Sequence, residues 1–189
     1  MAVEVTSRPT WRFSIEDYDR MGEVGILGPD ARVELIEGEV VQMRPIGPPH
    51  ARCVNRLTAI LASLVVQRRI VLQVQQPVGL PPRSEPEPDL SVLAWRDDFY
   101  PERPGPGDVL LAVEVADRSV AFDRNRKVPL YAAQGIQEVW LVDLPASLVE
   151  VYREPGPEGF AFRQVVRSGG SISPLAFPDL VVEAATFLD

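Results

Sequence analysis

The strongest pattern of apolar and polar positions along the chain is helical and lies between about His50 and Arg68. Apolar residues recur there at i, i+3, i+4 and i+7 spacing, which puts them in one stripe and predicts an amphipathic helix. The stripe consists of Val54, Leu57, Thr58, Leu61, Leu64 and Val65. One side of this helix should therefore pack on the core of the protein.

Two other segments carry helix signals. Residues 14–21 begin with Ser14 as an N-cap and have Asp17 three residues later, a variant of the capping box. Residues 119–134 are also predicted to be helical, with Gly135 as the C-terminal stop. Pro129 lies inside this second segment and predicts a kink or a late start, because proline has no N–H to donate.

Strand patterns fill most of the remaining chain. Residues 32–43 predict a hairpin with Glu37-Gly38 as its two-residue turn. Further strands are predicted at 70–78, 89–95, 109–116, 138–142, 148–153 and 160–167. This order predicts an α/β fold, with a mixed central sheet flanked by helices and extended by β-hairpins. We expect one domain over residues 1–189, with a core at about 30–145 and a C-terminal hairpin and tail at 146–189, of which the tail covers the core.

The composition is that of an ordinary globular protein. Hydrophobic residues make up 46% of the chain and charged residues 24%, and no apolar run approaches the roughly 20 residues that cross a bilayer. The first residues lack the basic-then-apolar pattern of a secretory signal. Cys53 is the only cysteine, so no intramolecular disulfide can form, which favours a cytoplasmic location.

The formal net charge of −8 argues against a protein that coats nucleic acid non-specifically. Such proteins obtain most of their affinity from Lys and Arg contacts with phosphates. An enzyme that holds magnesium through carboxylates can still be acidic overall and basic only near its groove. The net charge therefore disfavours a protein that coats nucleic acid, but it is compatible with an enzyme that acts on nucleic acid at a metal site.

Two carboxylates interrupt the apolar strands. Asp89 opens the strand 89–95, and Glu114 lies inside the strand 109–116. A carboxylate in an apolar run is costly to bury unless it is paired or coordinates a metal. Because strand side chains alternate, Glu114 should share one face with Leu110, Ala112 and Ala116.

Lys127 is the only lysine in the chain, beside eighteen arginines. Lysine presents a compact ammonium with three rotatable donors, and its pKa responds to its surroundings. A chain that uses arginine almost everywhere and lysine once indicates a task that arginine cannot perform. Two acids on neighbouring strands and a lysine on the next helix are the parts of a metal-dependent site that cleaves phosphodiesters.

Five ordered segments carry a family resemblance: VELIEGE at 33–39, His50 at the start of a helix, PDL at 88–90, VEV at 113–115, and Lys127 with the later GIQEVWLVD at 135–143. With these segments the chain resembles the PD-(D/E)XK nuclease superfamily and, more narrowly, the Uma2-type family of restriction endonucleases. The resemblance covers roughly residues 10–188. Ala116 departs from the superfamily pattern, which has a lysine there. The narrower family is similar in placing its lysine on the following helix, where Lys127 lies.

The resemblance implies an αβββαβ core and hydrolysis of DNA phosphodiester bonds with Mg²⁺ or Mn²⁺. The implied metal ligands are Asp89, Glu114 and the carbonyl of Val115. Lys127 would orient the attacking water or stabilise the transition state, and Glu34 would complete the acid cluster. Ala116 would leave room beside Glu114 where the wider superfamily keeps its lysine.

The remaining site residues are expected around this centre. The resemblance implies that His50 lies near the site, although a capping or surface role would also explain it. Arg124 and Arg126 belong to the most basic local cluster, and we expect both on the exposed side of the Lys127 helix, towards the substrate. DNA is the expected partner, no membrane is expected, and a homodimer is one assembly that the sequence allows.

Some alternatives stay open at this point. In the predicted hairpin Ile36 pairs with Glu39 and Glu34 lies diagonal to it, so Glu34, Glu37 or Glu39 could be the third acid. The resemblance favours Glu34, but solvated acids on an exposed hairpin would show the same pattern. A non-catalytic binding module or a hydrolase of small phosphoesters could also use this fold. The sequence shows neither a recognition site nor a preference between DNA and RNA.

Overall fold

The computed structural model of the protein describes residues 10–189. Its helices are α1 (Ile15–Glu23), α2 (Pro48–Val66), α3 (Val120–Phe122), α4 (Val128–Ala133) and α5 (Ala185–Leu188). Its strands are β1 (Val33–Ile36), β2 (Glu39–Gln42), β3 (Ile70–Val74), β4 (Leu90–Ala94), β5 (Val109–Ala116), β6 (Glu138–Asp143), β7 (Leu148–Gly156), β8 (Gly159–Arg167), β9 (Ser171–Ile172) and β10 (Val182–Glu183). None of the helices in this part of the chain has the length and apolar character that crossing a membrane requires.

The central sheet has six strands in the order β3-β4-β5-β6-β7-β8. Neighbouring strands are antiparallel except β5 and β6, which are parallel. The parallel pair is joined by the helical segment 120–133, as a parallel connection requires a crossover. The order α2, β3, β4, β5, crossover helices, β6 confirms the predicted αβββαβ core and the α/β class.

Apolar residues cover both faces of the sheet. On one face, α2 packs with Val54, Leu57 and Leu61, and the C-terminal tail adds Phe177 and Phe187. The C-terminal tail thus contributes to the core on this face of the sheet. On the other face, the hairpin β1–β2 and α4 pack against the sheet through residues that include Ile36, Val128 and Tyr131.

Local signals in the sequence gave several elements correctly. Ser14 and Asp17 form a reciprocal capping box at the start of α1, and Ile36 pairs with Glu39 in the first hairpin. Strand β5 has the predicted bounds. Helix α2 begins at Pro48, two residues before the predicted start, because proline is tolerated in the first helical turn, where its missing N–H has no partner to lose.

The prediction that Leu110 shares a face of β5 with Ala112 and Ala116 is wrong. The register between β4 and β5 shifts at Val92 and Leu93. A shift of this kind changes which face the residues on one side of it occupy. Leu110 consequently packs against the α2 side of the sheet, whereas Ala112 and Ala116 pack on the α4 side.

The crossover between β5 and β6 contains a π-helical turn at Asp123–Lys127, between α3 and α4. At its end the Val128 N–H donates to the carbonyl of Asp123, five residues back. Pro129, in the first turn of α4, cannot donate to the carbonyl four residues before it. The helical residues nevertheless run without a gap from Val120 to Ala133, so the late start that Pro129 suggested is not seen, and the change at this point is from π-helical to α-helical hydrogen bonding.

Candidate active site

A cleft of about 770 Å³ opens where β4 begins and β5 ends. Its walls are the end of β2 with the loop that follows, the start of α2, and the segment from Asp117 to Asp123. Six carboxylates line it: Glu34, Glu87, Asp89, Glu114, Asp117 and Asp123. The cationic or ionisable basic residues in its lining are Arg44, His50, Arg118 and Lys127.

Asp89 lies just before β4, and three donors hold its carboxylate. The backbone N–H of Val115 donates to Oδ2 at 2.8 Å. The Gln75 amide donates to Oδ1 at 3.1 Å, and His50 Nε2 lies 3.0 Å from the same oxygen. His50, at the start of α2, therefore lies beside Asp89. Its Nδ1 is buried and has no partner among the described residues.

Glu114 and Lys127 form the centre of a second group of contacts. Lys127 Nζ lies 2.9 Å from Glu34 Oε2 and 3.3 Å from Glu114 Oε1. The Tyr131 hydroxyl donates to Glu114 Oε1 at 2.5 Å. All four side chains are buried. Of the three hairpin acids that the sequence left open, Glu34 is the one in direct contact with Lys127.

The crossover helices explain why Lys127 points into the sheet. Asp123, Lys127 and Tyr131 recur at intervals of four residues, and all three are buried. Side chains four apart lie on one helical face, and here that face covers Glu114. Sequence reasoning missed Asp123 and Tyr131, although this spacing together with the position of Lys127 could have identified them.

The charges in this cluster do not balance. Burial raises the pKa of Glu114 well above its usual value, with Lys127 opposing the shift and Asp123, Asp89 and Glu34 adding to it. Burial also raises the pKa of Asp123, against the Lys127 charge. Burial lowers the pKa of Lys127, but Glu114 and Glu34 outweigh it and raise the pKa overall. The ammonium stays charged, and the excess of carboxylates favours the uptake of a further proton or cation.

The carboxylates fit a magnesium ion only in part. Among residues 10–189, no three His, Cys, Asp or Glu side chains are arranged to hold a metal ion together. Magnesium, however, commonly takes one or two carboxylates and completes its shell with water and substrate oxygens. Asp89 and Glu114 are the candidates for those two, because both line the cleft and the residue after Glu114 donates to Asp89. The donor set therefore fits a cation that shares its shell with water and phosphate.

Arg124 and Arg126, which the sequence suggested as substrate contacts, both lie against carboxylates of other elements. Arg124 contacts Glu150 at 2.7 Å and Asp143 at 3.0 Å. Arg126 contacts the hairpin acids Glu37 at 2.9 Å and Glu39 at 3.0 Å. Neither arginine lines the cleft, because each guanidinium is turned to a carboxylate from another element. Arg44 and Arg118 are the arginines in the lining, and both are exposed.

Ala116 offers less space than predicted. It lies on the Glu114 side of β5, but it is fully buried and packs in the apolar cluster with Val128 and Tyr131. A lysine at this position would have to displace that packing. The small side chain lets the crossover helices approach the strand and bring Lys127 to Glu114.

Two comparisons with known proteins found matches to this chain. The family model Uma2, described as "Putative restriction endonuclease", matches residues 15–185. A crystal structure described as a "putative nuclease belonging to DUF820" from Anabaena variabilis ATCC 29413 is similar in fold, with a TM-score of 0.76 and 16% identity. The similarity covers 93% of this chain and 97% of that one. No curated protein matches the chain. Since the Uma2 model spans nearly all of the described residues, the chain belongs to the Uma2 family.

Proposed function

We propose that the protein is a metal-dependent endonuclease that hydrolyses DNA phosphodiester bonds. The observation that carries the proposal is the buried Lys127 ammonium between Glu34 and Glu114 on the floor of the cleft, next to an Asp89 held by three donors. A structural ion pair would need one carboxylate for one lysine. An acid cluster around a single lysine, open to a cleft, instead supports a site for a cation and an anionic substrate.

Asp89 and Glu114 would hold Mg²⁺ or Mn²⁺, with the carbonyl of Val115 as a further oxygen ligand. The metal would lower the pKa of a bound water and offset negative charge on the phosphate. The side chains around the two acids keep them in place. Tyr131 fixes one oxygen of Glu114, and Gln75 and His50 fix one oxygen of Asp89.

Besides the metal, the cation that acts in the proposed reaction is the ammonium of Lys127. Its ammonium orients the attacking water or stabilises the charge that develops on the phosphate, where a fixed cation in a partly dry site is most effective. Glu34 holds that ammonium at the cleft floor through its 2.9 Å contact. Glu34 is therefore proposed as a positioning residue and Lys127 as a catalytic one.

The test is cleavage of supercoiled plasmid in Mg²⁺ or Mn²⁺, with an EDTA control. Lys127→Ala should lose at least about 100-fold in rate while it still binds DNA in Ca²⁺, because an interaction made mainly in the transition state contributes to rate and little to binding. Lys127→Arg should be nearly as poor, since the planar guanidinium cannot replace a compact donor.

Arg126→Ala is the matched control, because it removes a cation from the same turn without touching the cleft. It should cleave at the wild-type rate. Absence of metal-dependent cleavage by the wild type would defeat the proposal. Cleavage of bis(p-nitrophenyl) phosphate without cleavage of plasmid would instead identify a hydrolase of small phosphoesters.

A further inference from the structure

The arginines and carboxylates of this chain are unevenly distributed. Residues 40–84 contain six arginines and no Asp or Glu, whereas the remaining 144 residues carry a formal charge of −14. The 45-residue stretch runs from β2 through α2 to the turn before Glu85. It therefore includes one wall of the cleft and the helix that starts there.

Helix α2 is the centre of this basic stretch. Its 19 residues include Arg52 and Arg56 and no acid, so neither arginine has a carboxylate on its own helix. The two are four residues apart and lie on one face. Arg52 is exposed and Arg56 is half-exposed. Among the described residues neither forms an ion pair, whereas Arg69 in the same stretch pairs with Asp179.

The basic face of α2 begins at the cleft. Pro48, Pro49 and His50 line the cleft, and so does Arg44 in the preceding loop. At 1.5 Å per residue, Arg52 and Arg56 lie about 3 Å and 9 Å further along the helix axis than His50. Burial raises the pKa of the Cys53 thiol to about 12, with Asp89 adding and Arg56 and Arg52 opposing. The charges of Arg52, Arg56 and Asp89 therefore all act on the Cys53 thiol.

Arg118 extends the positive charge to the opposite wall. It is exposed, lines the cleft and lies two residues after the end of β5. Within residues 10–189 neither Arg118 nor Arg44 forms an ion pair, in contrast to Arg12, Arg103, Arg124, Arg126, Arg153 and Arg163. The arginines without carboxylate partners include those on both sides of the cleft mouth.

We infer that Arg118, Arg44, Arg52 and Arg56 form a track for the phosphate backbone of duplex DNA, which enters across the cleft and leaves along α2. This inference rests on the proposed function, because it names the part of the substrate beyond the cleaved bond. The acidic remainder of the molecule repels DNA elsewhere and leaves this face for binding. Phosphate contacts of this kind fix the position of the duplex without reading its sequence.

The test measures binding without chemistry. A fluorescein-labelled 24-base-pair duplex is titrated with protein in Ca²⁺, and fluorescence anisotropy is followed at several salt concentrations. The double variant Arg52→Gln/Arg56→Gln should weaken binding roughly tenfold at low salt and make the slope of log K against log salt shallower by about 2, near one unit per lost phosphate contact. Arg52→Lys/Arg56→Lys should bind within about threefold of the wild type, because lysine also neutralises phosphate.

Arg20→Gln/Arg167→Gln is the control, since both arginines are exposed, lie outside residues 40–84 and form no ion pair among the described residues. The inference is overturned if the α2 variant loses no more affinity than this control, or if the wild type does not bind the duplex. Loss of the proposed function has a different signature, namely binding by the wild type without cleavage in Mg²⁺ or Mn²⁺.

Discussion

At the scale of single residues, the least expected participant is Gln75. It follows β3 with φ of +51°, a left-handed conformation that costs a non-glycine residue about 1 kcal/mol. In this conformation its backbone N–H donates to the Asp89 carbonyl at 3.2 Å, while its side chain donates to the Asp89 carboxylate at 3.1 Å. Strained backbone is retained where the surroundings or the function require it. Here the strain aims an amide at the proposed metal ligand.

Gln75→Gly separates the strain from the amide. We expect the variant to melt at or above the wild-type temperature, because glycine adopts positive φ without penalty. Its Mn²⁺ affinity, measured by isothermal titration calorimetry, should fall by about 10- to 100-fold, as for other residues that orient a metal ligand. Ser147→Gly is the control, since Ser147 has φ of +50° and lies outside the cleft lining. Unchanged Mn²⁺ affinity together with a lower melting temperature would make Gln75 purely structural.

Asp89→Asn tests the metal ligand itself. Mn²⁺ should raise the melting temperature of the wild type, because a ligand that binds only the folded state stabilises it. The variant should lose most of this rise. Without metal it should melt at or above the wild-type temperature, since one charge of the acid cluster is gone. An Mn²⁺ response equal to that of the wild type, followed by differential scanning fluorimetry, would remove Asp89 from the site.

At the scale of elements, the π-helical turn at Asp123–Lys127 carries two arginines that contact different elements. Arg124 reaches Glu150 of β7, which is 2% exposed and also contacts Arg163 and Tyr152. Arg126 reaches Glu37 and Glu39 of the first hairpin, whose side chains are 55% and 41% exposed. The same residue type on the same turn therefore belongs to a buried ionic network in one case and a solvated one in the other.

Arg124→Ala should lower the free energy of unfolding by about 2 kcal/mol, because it removes one of the hydrogen-bonding partners of a buried charge. Arg126→Ala should lower it by less than about 1 kcal/mol, as is usual for ion pairs in solvent. Urea denaturation of the two variants gives the comparison directly. If the two variants lost the same free energy of unfolding, the burial of Glu150 would not be what determines the size of the loss.

These partners also show where prediction from the sequence stops. The hairpin register and the bounds of β5 follow from local alternation and turn residues, so both could be predicted correctly. Glu150 lies 26 residues after Arg124, on β7, and no local pattern links them. The register shift that turns Leu110 to the other face depends on the pairing of β4 with β5. The lysine, by contrast, was identifiable because its residue type occurs once.

At the scale of the whole molecule, buried carboxylates make stability depend on pH. Burial raises the pKa of Glu85 to about 7, although Arg103 opposes the shift from 2.8 Å. Burial raises the pKa of Glu114 and Asp123 as well. The folded chain therefore binds more protons than the unfolded chain above pH 4.5. Stability from these groups is fully present below that pH and is lost as the pH rises through the folded-state values.

Without metal, the free energy of unfolding should fall between pH 5 and pH 7, by up to about 1.4 kcal/mol per pH unit for each proton involved. Glu85→Gln should flatten this decline, because glutamine does not titrate. Glu16→Gln, at an exposed position in α1, should leave the decline unchanged. Urea titrations at several pH values provide the comparison, and identical slopes for Glu85→Gln and the wild type would exclude Glu85 as a source.

Because Lys127 is the only lysine, proteolytic cleavage after it can report local opening of the crossover helices. Only one peptide bond in the chain follows a lysine, and Lys127 is 5% exposed. A lysine-specific protease can cut that bond only when the crossover helices open, and the cut yields fragments of 127 and 62 residues. The rate at which the two fragments appear then measures the local opening of the site. Bound Mn²⁺ or DNA should slow this digestion, so proteolysis followed on a gel would report occupancy of the cleft without any catalytic turnover.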